Sequence, residues 1–108
     1  MNSKANSIVL IGMPGAGKST LGILLAKELG LGFVDTDVAI QVREGQTLQG
    51  ILDASDYLNL RAIEEQVLLT EQIAGKVVAT GGSAVYSEAG MARLKDNATL
   101  VFLDVPLR

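Results

Sequence analysis

Residues 12–20 read GMPGAGKST, directly after the apolar run SIVLI (7–11) and directly before STLGILLAKELG (19–30). Gly12, Gly15, Gly17, Lys18 and Ser19 fit G-x-x-x-x-G-K-[ST] at every position. Few folds use such a segment. It needs a strand before it, a helix after it, and a turn whose backbone N–H groups converge on an anion. Glycine permits the turn, and the helix beginning near Lys18 adds its positive dipole end. Lys18 is placed to reach β- and γ-phosphates, and the Ser19 hydroxyl is a Mg²⁺ ligand.

The rest of the chain continues the alternation. SIVLI has the continuous β-branched character of a strand buried on both faces. Apolar residues at helical spacing follow over 19–30, with Gly30 as C-cap. GFVDTD (32–37) reads as a second strand ending in acids. VAIQVREG (38–45) reads as a helix stopped by Gly45, and TLQGILDAS (47–55) as a short helix capped by Thr47. The longest helical stretch is 57–74, with Leu60, Ile63, Val67 and Ala74 along one face. KVVAT (76–80) is a third strand before Gly81-Gly82, SEAGMARLKD (87–96) a helix capped by Ser87, and ATLVFLDV (98–105) a fourth strand. Strands alternating with helices predict an α/β fold with a mostly parallel sheet covered on both faces. Ligands of such sheets bind beyond the carboxyl ends of the strands, where 12–19, 35–37 and 80–83 all fall.

Composition narrows the chemistry. The 108 residues carry a net charge of −3, 48% are hydrophobic and 19% charged, which suits one globular domain. An acidic balance argues against a nucleic-acid or membrane-surface binder. With no cysteine and no histidine, disulfides, thiolate or imidazole metal sites and histidine bases are excluded. A metal must be a hard cation held by oxygen. No apolar run is long enough to span a bilayer, and the first residues lack a leader's cleavage pattern, so the cytoplasm is the expected compartment.

Three further groups stand at strand ends or on the long helix. Asp35 and Asp37 point the same way if the strand continues; one suits Mg²⁺ through water and the other a substrate hydroxyl, or Asp37 caps the next helix. Arg61 has Glu64 and Glu65 at i+3 and i+4, the spacing of a surface ion pair, although a guanidinium also grips anions bidentately. Gly81 and Gly82 form either a simple turn or a close backbone approach to a substrate.

Taken in order, GMPGAGKST, FVDTD, LRAIEE and ATGGSAV resemble the shikimate kinase family, and VFLDVP resembles its fourth strand. The likeness extends over essentially the whole chain. It implies a three-layer P-loop kinase fold with four of the usual five strands, over 1–108 as one nucleotide-binding domain. It implies ATP and Mg²⁺, and phosphorylation of a small anionic alcohol, shikimate first, in aromatic amino acid biosynthesis. By resemblance, Gly12, Gly15, Ala16, Gly17, Lys18, Ser19 and Thr20 hold the ATP phosphates, and Ser19 and Asp35 serve Mg²⁺. Asp37 contacts the acceptor hydroxyl and takes its proton, and Lys18 follows the phosphoryl group. Arg61 binds the substrate carboxylate, Glu64 holds Arg61, and Gly81 and Gly82 line the pocket. The expected partner is a small molecule, with no nucleic acid or membrane, and the expected state is a monomer.

Three departures stand out. Ser83 replaces a usual third glycine. The family's GExxFR approach is here Asp56-Tyr57-Leu58-Asn59-Leu60-Arg61. The lid, the adenine contact and a further arginine would follow Arg108, so the chain reads as C-terminally incomplete, with little turnover expected of these residues alone. Two other readings stay open: a related kinase for another small alcohol, and a nucleotide-binding module without transferase activity.

Overall fold

The computed structural model describes residues 6–12 and 17–103. The elements run β1 (Ile8–Gly12), α1 (Lys18–Leu29), β2 (Gly32–Asp35), α2 (Thr36–Glu44), α3 (Leu48–Ala54), α4 (Tyr57–Thr70), β3 (Lys76–Ala79), a 3₁₀ turn (Ala84–Tyr86), α5 (Glu88–Asn97) and β4 (Thr99–Leu103). The strands form one sheet in the order β2-β3-β1-β4, and every pairing is parallel. The expected α/β architecture is therefore present, with β1 central and flanked by strands that come much later in the chain.

Period-two alternation assigns the sheet's faces. Leu10 and Val77 pack with Ala26, Leu21 and Leu25 of α1. Val9, Ile11 and Val78 point the other way and pack with Leu68 of α4 and Leu94 of α5. Val9 and Leu10 are fully buried and Ile11 nearly so, hence the unbroken apolar run. A third cluster of Ile40, Ile51 and Val67 fastens α2 and α3 to α4, with Leu60 and Ile63 against it. Lys18, Gly22 and Ala26 are the buried residues of α1, spaced four apart on the face turned to the sheet.

Local signals hold at most helix ends. Gly30 and Gly45 close α1 and α2, and the Thr47 and Ser87 side chains accept from the Gly50 and Gly90 amides. Three boundaries differ from expectation. β2 stops at Asp35, so Asp37 lies in the first turn of α2 and not on a strand. The cap of α2 is Asp35, whose carboxylate accepts from the Asp37 and Val38 amides. The long helix ends at Thr70, short of Ala74, because Ile73 must turn into the core before β3 begins. The end of the predicted fourth strand, 104–105, lies outside the described residues.

Candidate active site

Three connections converge at the carboxyl end of the sheet. Gly17 precedes α1 at φ +84°, a backbone conformation that favours glycine, and so turns the chain from the loop into the helix. Lys18 follows it, only 8% exposed, with its ammonium donating to the Gly12 carbonyl at 2.7 Å. This links the two ends of the loop. Gly15 and Ala16, two of the expected phosphate-binding residues, lie outside the described residues.

Ser19 and Asp35 meet across the first crossover. The Ser19 hydroxyl donates to Asp35 Oδ2 at 2.7 Å, while Oδ1 receives the Asp37 amide at 2.9 Å. One carboxylate thus caps α2 and faces the P-loop serine. Because Asp35 takes the cap, the Asp37 side chain is released from that duty and lines the cavity instead. Thr36, between them, is buried, and its hydroxyl accepts the Gly81 amide at 3.0 Å. Thr80 donates from both its amide and its hydroxyl to the Leu10 carbonyl. These two threonines tie the glycine turn after β3 to β2 and β1. The sequence offered only their polarity at strand ends as a signal.

The outcome is one cavity of roughly 400 Å³ lined by Gly17, Lys18, Ser19, Thr20, Asp35, Asp37, Thr80, Gly81 and Gly82. Its charges interact. Burial pushes the Asp37 carboxyl above its ordinary 3.8, nearby Asp35 pushes the same way, and Lys18 opposes them. Burial also lowers Lys18 from its ordinary 10.5, against the pull of Asp37 and Asp35. Such a site can receive an anion at the lysine and helix end, a hard cation at the hydroxyl–carboxylate pair, and a hydroxyl's proton at Asp37.

Arg61 does not line this cavity. It faces an adjoining cleft of roughly 240 Å³ with Leu58, Glu64, Ser83 and Tyr86. Glu64 connects the two, since its Oε2 lies 2.8 Å from where a Cβ on Gly81 would stand. The same Cβ would meet Asp37 Oδ1 at 2.5 Å, so residue 81 must be glycine for both carboxylates to approach. Ser83, directly after the Gly81-Gly82 pair, donates its hydroxyl to Glu64 Oε1 at 2.6 Å. Glu64 is 4% exposed and its carboxyl is raised above 4.5 by burial, with the Ser83 bond and the charge of Arg61 pulling down and Asp37 pushing up. The expected helix-surface pair of Arg61 with Glu64 or Glu65 is replaced by other partners. Glu65 accepts from Ser87, and Arg61 lies over the rings of Tyr57 and Tyr86.

Comparison with known proteins agrees with this geometry. The family model described as shikimate kinase matches residues 14–108. A shikimate kinase of Paracidovorax citrulli is 43% identical over 101 residues, covering 91% of this chain and 55% of that protein. One from Clostridium botulinum is 37% identical over 107 residues, covering 94% of this chain and 62% of the relative. The solved shikimate kinase of Acinetobacter baumannii in complex with shikimate superposes with a TM-score of 0.84 at 34% identity, over 95% of this chain and 59% of that one. The chain thus spans a little over half the length of the relatives it matches. With the family's model matching most of the chain, from within the loop through the glycine turn to β4, the chain belongs to the shikimate kinase family.

Proposed function

We propose that this chain binds ATP with Mg²⁺ and forms the phosphate- and acceptor-binding part of a kinase that phosphorylates a shikimate hydroxyl. The observation that carries the reading is the single cavity joining Lys18, Ser19 with Asp35, Asp37 and the Gly81-Gly82 turn. The likeness to a kinase solved with shikimate supports the choice of acceptor.

The donor set suits the cation. One hydroxyl and one carboxylate, 2.7 Å apart, are hard oxygen ligands, and Mg²⁺ commonly takes one or two carboxylates with water and phosphate oxygens. Ser19 and Asp35 would hold it, Asp35 through water, and when bound it would neutralise phosphate charge. Lys18 exchanges the Gly12 carbonyl for phosphate oxygen and follows the transferred group. Gly12, Gly15, Ala16, Gly17 and Thr20 supply the remaining phosphate contacts. Asp37 takes the acceptor's proton as its oxygen bonds to phosphorus and the bond to ADP breaks; the raised pKa of Asp37 brings it nearer to a hydroxyl's needs. Gly81 and Gly82 shape the acceptor pocket, and Arg61 receives the carboxylate from the adjoining cleft. Catalysis of this kind is positioning plus charge stabilisation. The kinase would act as a monomer in the cytoplasm; among the described residues no helix is long and apolar enough to cross a membrane.

Calorimetric titration of the chain with Mg·ATP, with and without shikimate, tests the reading. Saturable nucleotide binding that Lys18→Ala abolishes, and shikimate binding that Asp37→Ala weakens, are the expected results. Equal ATP affinity in the Lys18→Ala variant would sink it.

A further inference from the structure

We propose that Tyr86, together with Tyr57, is the element that positions Arg61, a role resting on the reading that Arg61 receives the acceptor's carboxylate. The Arg61 Cζ lies 4.5 Å from the Tyr86 ring centroid and 5.1 Å from that of Tyr57, both within the roughly 6 Å range of a cation–π contact. Tyr57 stands one turn before Arg61 on α4, where i and i+4 side chains meet. Tyr86 arrives on the 3₁₀ turn that follows Gly81-Gly82. The guanidinium therefore ties α4 to the loop that walls the candidate active site.

The two nearby carboxylates take their hydrogen bonds elsewhere, and Arg61 acts on Glu64 through its charge alone. Glu64 accepts from Ser83 at 2.6 Å and Glu65 from Ser87 at 2.5 Å. This division of labour has a chemical consequence. A carboxylate partner would take up some of the five N–H donors of the guanidinium, donors that a substrate carboxylate could otherwise use. An aromatic ring engages the face of the cation and leaves all of those donors open. Tyr57 and Tyr86 thus order Arg61 without competing for its ligand. Both rings are more than half exposed, so the contacts are accessible to substitution without opening the core.

The test compares Tyr86→Phe and Tyr86→Leu with the unaltered chain. Proton NMR reads the ring-current shift of the Arg61 δ-methylene protons, and calorimetry reads shikimate and ADP affinity. Tyr86→Phe should keep the upfield shift and the shikimate affinity, because the ring face suffices. Tyr86→Leu should move the methylene protons downfield and weaken shikimate by about two- to fivefold, with ADP affinity unchanged. An unaltered chain without the upfield shift, a Tyr86→Leu variant that keeps both shift and affinity, or a Tyr86→Phe variant as damaged as Tyr86→Leu would each overturn the role. An unaltered chain that shows the shift, loses it in Tyr86→Leu, and takes up no shikimate would support the positioning while overturning the acceptor reading.

Discussion

At the scale of single residues, Gly81 and Glu64 make the most exacting demands on the site. A methyl group on residue 81 would collide with Asp37 Oδ1 and Glu64 Oε2 together, and the Glu64 carboxylate is held by Ser83. Gly81→Ala should therefore destabilise the fold by about 1–3 kcal/mol, as overpacking does, and weaken acceptor binding more than nucleotide binding. Chemical denaturation and parallel titrations would read the two effects; an unchanged acceptor affinity would count against Gly81 as a pocket wall. Glu64 gives a pH prediction. Its carboxyl is raised above 4.5 in the native state, chiefly by burial, so the folded protein binds this proton more tightly than the unfolded chain. The resulting stabilisation is complete below about pH 4.5 and is lost as pH rises through the native value. Glu64→Gln removes that slope. Measured from pH 4 to pH 7, the variant's melting temperature relative to the parent should rise between about pH 4.5 and the native value and stay level above it. A constant difference across that range would show that Glu64 does not titrate as its burial requires.

Elements raise a different question, namely how helices meet the loops that serve the site. The carboxyl end of α4 is held by Arg93 of α5, which donates to the Leu68 carbonyl at 2.8 Å and the Glu71 carbonyl at 2.9 Å. These bonds satisfy acceptors left free by the end of the helix. Arg93→Ala should cost about 1–2 kcal/mol of stability, read by urea denaturation, while Arg93→Lys recovers only part because a point charge cannot fork across two carbonyls. Full recovery by lysine would mean that charge at the helix end matters more than the fork. The same helix shows why some features were legible in the sequence and others were not. Leu60, Ile63 and Val67 follow from periodicity alone, and Thr47 and Ser87 announce their caps through local residue order. Asp35 and Asp37 are both good caps, and only the position where β2 ends decides between them. The i+3 and i+4 acids beside Arg61 were a sound local expectation. Ser83, Tyr86 and Ser87 change it, arriving on α4 from the loop that follows β3, far from Arg61 in the chain.

For the whole molecule, the decisive property is that the candidate active site lies across the seams of the fold and not within any one element. Lys18 and Ser19 belong to α1, Asp35 to the end of β2, and Gly81 to the turn after β3, held by Thr36 and Thr80. Lys18 lies among the burials that hold α1 to the sheet, and Asp35 begins the helix that α3 and α4 cover. A ligand spanning these points can keep its contacts only while β1, β2 and β3 remain assembled. Binding should therefore count fully towards global stability, by the mass-action relation between free ligand and dissociation constant. At one hundred times its dissociation constant, Mg·ADP would add about 2.7 kcal/mol. For a domain of this size that raises the melting temperature by about 10 °C. Lys18→Ala should remove most of the shift, because the helix dipole and loop amides remain but the mobile positive charge does not. Mg²⁺ without nucleotide should give little, since Ser19 and Asp35 alone leave most of its coordination to water. Differential scanning calorimetry with each addition separates these cases. An equal shift from Mg²⁺ alone would place the stabilising ligand at the hydroxyl–carboxylate pair, and an undiminished shift in Lys18→Ala would remove the lysine from phosphate binding.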